Sequence, residues 1–177
     1  YIGANPNNYV LFNDELWRII GVFSEDTHGM SGQKLVKLIR SESLGNNILW
    51  DSSNTNDWST ASLQTALNND YLNGSGSYTS AGIKNDTTRE MIETVTWKLG
   101  GWNTSGLTAS EFYYYEREAP AYGDNPTEWI GKVALMYPSD YGYATSGGTS
   151  SQRKTCLSTY NWSNYCYNND WIFNSSN

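Results

Sequence analysis

Apolar and polar positions alternate most clearly between Asn8 and Glu42, and this stretch predicts three antiparallel strands. Tyr9–Phe12 and Glu15–Phe23 flank Asn13-Asp14, two residue types that tolerate the left-handed dihedrals of a tight hairpin turn. Along the second segment Leu16, Arg18, Ile20 and Val22 fall on one face, and Trp17, Ile19, Gly21 and Phe23 on the other. Bulk on both faces predicts a central strand. Ser24–Gln33, rich in Gly, Ser and acid, reads as a loop that returns the chain to Leu35, Val36, Leu38 and Ile39. The meander over 8–42 is expected to be the sheet on which everything downstream packs.

Ser41–Asp57 reads as a second loop, with Leu44, Ile48, Leu49 and Trp50 as anchors against the sheet. The period then changes within a helical region spanning 59–118. Leu63, Ala66, Leu67 and Tyr71 repeat at three and four, so a helix is expected over 60–71, capped by Ser59 or Thr60 and ended by Asn73–Ser77. Capping boxes at Thr87–Glu90 and Thr108–Glu111 predict two more helices, stopped by Gly100-Gly101 and limited by Pro120. The first of these is expected to carry Met91, Ile92 and Val95, the second Phe112 and Tyr115. Residues 128–136 return to strand chemistry, expected to be buried and paired with the meander, and Pro138-Ser139-Asp140 breaks them. The region 142–177 is poor in aliphatics, yet Tyr160, Trp162, Tyr165, Tyr167, Trp171 and Phe173 would expose much apolar area if it were disordered. It reads as an ordered aromatic loop region. The fold class is therefore α+β, an antiparallel meander or mixed sheet with two to three short helices, in a single domain over 1–177.

Charge narrows the partners. Eighteen acids against eleven Lys and Arg give a net charge of −7. That balance argues against nucleic acid or an anionic membrane, both of which require a basic patch. No run of about 18 apolar residues is present to span a bilayer. There is no signal-peptide pattern, and a first residue of Tyr1 rather than Met points to a leader, an anchor or a further domain outside this sequence. Cys156 and Cys166 enclose nine residues of polar and aromatic sequence. Two thiols with a single His28 are too few for structural zinc, so a disulfide is the preferred reading. So short a ring stabilises by about 2–3 kcal/mol and implies an oxidising, extracellular setting. Two unpaired buried thiols, the alternative, would call for apolar surroundings.

Catalytic sets are sparse. His28, the one imidazole, lies in the Glu25–Gly29 loop and is expected to be solvated, a poor base for a Ser-His-Asp or Cys-His mechanism. Glu116 with Glu118, or Asp140 with Asp170, could pair for glycoside hydrolysis, though acids this frequent are more often a solvated face. No phosphate-binding Gly loop occurs. Oxygen ligands of the kind calcium uses cluster at Asp51, Asn54, Asn56 and Asp57 and again at Asn168, Asn169 and Asp170, without EF-hand spacing. Turn-forming Asx residues account for both clusters equally well.

The strings NNYVLFNDELWRIIGVF, NDWSTASLQTALNNDYLNG and WIGKVALMYPSDYGYATSGG resemble an uncharacterised module of surface and prepilin-like proteins of Firmicutes, many of them gut inhabitants. The resemblance covers most of the chain and implies secretion or display at the cell surface. It also implies a C-type-lectin-like fold, and Trp129-Ile130-Gly131 is similar to a core motif of C-type lectins. It brings no catalytic residues. Similar proteins continue past the position of Asn177 to a closing strand, which implies an open edge here, filled by more of the same polypeptide or by a partner strand. The function expected is non-catalytic recognition or adhesion at the cell surface. A glycan or a host or cell-surface protein would be the ligand, and Tyr160, Trp162, Tyr165 and Trp171 the contact residues. The globular head of a pilin-like or surface-layer subunit and a glycoside-active enzyme are the alternatives.

Overall fold

The computed structural model describes residues 6–45, 47–101, 109–118, 120–121 and 123–144. The hairpin forms where Asn13 and Asp14 place it, both with positive φ, 56° and 58°. β1 (Tyr9–Phe12) pairs antiparallel with β2 (Glu15–Phe23), Tyr9 opposite Arg18 and Phe12 opposite Glu15. β3 (Leu35–Arg40) takes the other side of β2, which is therefore central. Strict alternation fails at Ile20: Ile19 faces Leu38 and Gly21 faces Lys37, so Ile20 has no opposite residue. This bulge sets Val22 against Val36 and Phe23 against Leu35, and the faces expected of an unbroken period change there. The connection between β2 and β3 holds a helix that the loop reading missed, α1 (Glu25–His28), with acids in its first turn and Gly29 at φ 77° closing it.

The core lies elsewhere than expected. It gathers Trp58, Ala61, Leu63, Leu67, Tyr71, Tyr78 and Ile83, to which the meander contributes only half-buried Phe12 and Trp17. Leu11, Leu16, Val22 and Val36 stay exposed, so the sheet is one wall of the fold rather than its base. Of the loop anchors, Leu44 packs on the core, whereas Ile48, Leu49 and Trp50 are exposed. α2 (Ser62–Thr65) runs directly into a π-helical segment, Ala66–Tyr71. Neither Ser59 nor Thr60 caps it. The cap is Asp51, eleven residues upstream, whose Oδ1 accepts the Ser62 N–H at 3.0 Å, while Asp57 Oδ1 accepts the Ser59 N–H at 2.9 Å.

α3 (Asp86–Glu90) is capped by Asn85, whose side chain accepts the Thr88 N–H at 2.9 Å, but it stops before Met91. The helix expected to reach Val95 gives way to β4 (Val95–Lys98), since Val-Thr-Trp is β-branched and aromatic and favours a pleated surface. Its partner is β5 (Glu128–Gly131), Val95 opposite Gly131 and Lys98 opposite Glu128. The strand expected over 128–136 is thus only four residues long and pairs with β4 instead of the meander. Trp129 folds its indole over Gly131, where any Cβ would enter the ring. Past Gly131 a side chain replaces the neighbouring strand. Asn68 Oδ1 accepts the N–H groups of Lys132 (3.3 Å) and Val133 (3.0 Å), and its Nδ2 donates to Val133 O (2.8 Å).

α4 (Ala109–Arg117) forms at the second capping box, and α5 (Pro138–Ala144) begins on its proline, which suits a first helical position. Pro138-Ser139-Asp140 therefore starts a helix as well as ending the extended stretch. The described residues form an α+β fold with a three-stranded and a two-stranded antiparallel sheet. They carry five short α-helices where two to three were expected.

Candidate functional site

The segment 134–137 and Trp97 form a wall common to two clefts, of about 770 Å³ and about 370 Å³. Both volumes fall within the range of about 300–1,000 Å³ usual for ligand sites. The larger cleft opens between β3 and the layer of β4 with 132–137, and its lining is mainly apolar, aliphatic side chains together with the rings of Phe12, Trp17, Phe23, Tyr71, Trp97 and Tyr137. The smaller has far fewer aliphatic side chains. Six rings line it, Trp50, Trp58, Trp97, Phe112, Tyr115 and Tyr137, together with the polar side chains of Asn56, Asp57, Lys98, Glu116 and Asn125.

Several of these rings are fixed by hydrogen bonds. Trp50 Nε1 donates to Thr55 O at 3.2 Å and Trp97 Nε1 to Gly131 O at 3.1 Å. The Tyr137 hydroxyl accepts the Lys98 N–H at 2.8 Å and donates to Lys98 O at 2.9 Å, and burial pushes its pKa up to about 12. Trp50 and Trp58 sit 5.2 Å apart at 44°. Trp58 is 7% exposed, and its indole N–H has no hydrogen-bond partner among the described residues. Asn125 Nδ2 donates to Asn56 O across the rim.

Beneath this cleft lies a buried charge network joining β3, α4 and α5. Lys37 Nζ pairs with Asp140 beneath the Tyr137 ring, 4.3 Å from its centroid. Glu116 Oε1 accepts the Ser139 N–H at 2.8 Å, and its Oε2 accepts the Ser139 hydroxyl at 2.5 Å and Arg117 Nη1 at 2.7 Å. Burial raises the Glu116 pKa, while Ser139 and Arg117 oppose the shift. Burial likewise lowers that of Lys37 against the pull of Asp140. With both oxygens of Glu116 already accepting, this carboxyl ties helices together and is badly placed to protonate a ligand. Glu118, its expected partner for hydrolysis, is exposed.

The other residues singled out in the sequence are spread over several places. His28 is buried, not solvated: Nδ1 accepts the Met30 N–H at 3.2 Å, which leaves Nε2 to donate to Phe23 O at 3.2 Å. Asp51 is committed to backbone donors. Its Oδ2 accepts from Ser53 N, Thr55 N and Thr55 Oγ1, with Oδ1 on Ser62 N, and these bonds, led by Thr55 N–H and Ser62 N–H, hold its pKa down at about 2. Asn54 sits at φ 57° in the same turn. Among the described residues no group of three or more His, Cys, Asp and Glu is arranged to hold a metal. Tyr160, Trp162, Tyr165, Trp171, Cys156, Cys166, Asn168, Asn169 and Asp170 lie outside the described residues. Trp58, Trp97, Phe112, Tyr115 and Asn125 were not foreseen as one site. The eight tryptophans were the only available signal, and it carries no position.

Asp51→Ala is expected to lower the melting temperature at neutral pH, and equally so in calcium and in a chelator. A carboxyl whose folded pKa is depressed stabilises fully above its unfolded pKa near 3.8 and loses that contribution as pH falls through about 2. The gap between wild type and variant should therefore close on acidification over that window. Thermal melts from pH 5 to pH 2 check this, and a gap that appears only with calcium would transfer the role of Asp51 to a metal.

Comparison of the chain with family models, curated proteins and solved structures gave no match.

Proposed function

We propose that the chain is a non-catalytic recognition domain, displayed at a cell surface, that binds glycans in the 370 Å³ cleft. The observation that carries this reading is the meeting of six rings and several polar side chains in one cleft. Flat rings pack against the C–H faces of a sugar, and polar side chains among them hydrogen-bond its hydroxyls. Two carboxylates, Asp57 and Glu116, against the single Lys98 favour a neutral sugar over an acidic one. The C-type-lectin-like fold implied by the resemblance fits such a role and remains part of the proposal.

Trp58→Phe shrinks a ring that belongs to the core as well as to the cleft, so it should lower the melting temperature and, measured where the variant is still folded, weaken glycan binding several-fold. Trp50→Ala, at an exposed ring, should weaken binding further with little change in stability. Binding is measured by calorimetry against neutral oligosaccharides first selected on a glycan array. If no glycan on the array binds, or if both variants bind as wild type does, the reading fails.

A second reading, the globular head of a pilin-like subunit, draws on the exposed apolar residues Tyr9, Leu11, Leu16, Val22 and Val36 of the meander, which a neighbouring subunit would cover. Concentration-dependent assembly abolished by Leu11→Glu would favour it.

A further inference from the structure

The larger cleft differs from a side-chain pocket in one respect. Every residue from Leu35 to Leu44 lines it, although neighbours along a strand point to opposite faces. Consecutive residues border one cleft only where the strand presents its backbone edge. β2 occupies one edge of β3, and among the described residues no strand lies beyond the other. The register fixes which groups point into the cleft. Ser41 N–H donates to Leu16 O at 3.1 Å, and Ile39 faces Arg18 two residues on. Antiparallel alternation then turns the N–H and C=O of Arg40, Leu38 and Val36 away from β2. The opposite wall is also extended chain, Val95–Trp97 with 132–137.

Charge at this cleft is one-sided. The cations on its walls are engaged: Lys37 with Asp140, Arg40 with Glu15 at 2.5 Å, and Lys132 Nζ with the carbonyls of Arg89 and Ile92. The carboxylates of Glu42 and Glu93, which also line it, belong to exposed residues.

We propose that the edge of β3 left without a partner strand among the described residues accepts an extended apolar peptide with basic residues at its ends, supplied by another polypeptide and bound by strand addition. The outward N–H and C=O groups of Val36, Leu38 and Arg40 supply the hydrogen bonds, the apolar walls take alternate side chains, and Glu42 and Glu93 meet the flanking cations. This site is distinct from the glycan cleft and stands or falls separately.

The test uses a pool of capped heptapeptides with Lys at both ends and Val, Ile, Thr or Tyr between, mixed with the whole chain and followed by hydrogen exchange and NMR titration. Binding should saturate and protect the amides of Val36, Leu38 and Arg40, while those of Leu35, Lys37 and Ile39, already turned to β2, change little. Backbone N-methylation of the selected peptide at alternate residues should cost it about tenfold or more in affinity, since it deletes donors but keeps side chains. Glu42→Gln with Glu93→Gln should weaken Lys-flanked peptides several-fold, by about the worth of exposed ion pairs. Equal binding of the N-methylated peptide, protection at other amides, or no binding by any member of the pool would overturn the proposal. So would Val36, Leu38 and Arg40 amides already protected in the free protein, which would mean that the chain's own residues fill the edge, or protected only as the chain self-associates, which would make a second copy the occupant.

Discussion

Asn68→Ala is expected to lower the free energy of unfolding by about 2–4 kcal/mol, more than a polar residue on a helix ordinarily contributes. Among the described residues the wall between the two clefts has no strand beside it past Gly131, and the Asn68 amide acts as one, accepting from Lys132 and Val133 and donating to Val133 O. Removing it leaves Val133 N–H, Val133 O and Lys132 N–H without these partners, at about 1–3 kcal/mol for each group that water does not reach. Asn68→Asp should be no milder at neutral pH, because the oxygen that replaces Nδ2 would face the carbonyl oxygens of Val133 and Gln64. Urea unfolding of the three proteins measures the effect. A loss below about 0.5 kcal/mol for Asn68→Ala would show that 132–137 is held by its apolar packing alone. Since 134–137 and Trp97 border both clefts, the variant should also weaken glycan and peptide binding together.

The sequence made the local elements legible and left their assembly hidden, and the reason is visible residue by residue. Asn13-Asp14 and the runs on either side of it specify β1, β2 and their register because the information is contiguous. The helix at 62–71 follows from its period. The capping box at Thr87–Glu90 predicts a helix that carries Val95, but it governs only five residues before the β-branched sequence prevails. The pairing of β5 with β4 depends on contacts about thirty residues apart that no local pattern encodes. The smaller cleft was least legible of all. Its rings come from the Trp50–Trp58 loop, β4, α4 and the stretch before α5, each unremarkable in its own segment. The charge network shows the same limit, since Glu116 read as one acid among many until α5 brought Ser139 to it.

Asn13 shows how one residue can satisfy a local rule and a distant one together. Its positive φ suits the turn, and Gly at this position would suit it better still. If the turn were its whole role, Asn13→Gly would be neutral or stabilising. Yet Asn13 is buried, its Nδ2 donates to Gly82 O at 3.1 Å, and its Oδ1 accepts the Lys84 N–H at 2.8 Å, so the hairpin tip is clamped to a loop some seventy residues on. Gly82 has no room to move away, because a Cβ there would lie 2.5 Å from Tyr71 O and 2.8 Å from Tyr78 O. Asn13→Gly should therefore lose about 2–3 kcal/mol, leaving two buried backbone groups unpaired. Asn13→Ala should lose about 1 kcal/mol more through left-handed strain. The ordering wild type, Gly, Ala in denaturant midpoint separates the two roles, and a Gly variant as stable as wild type would reduce Asn13 to a turn residue.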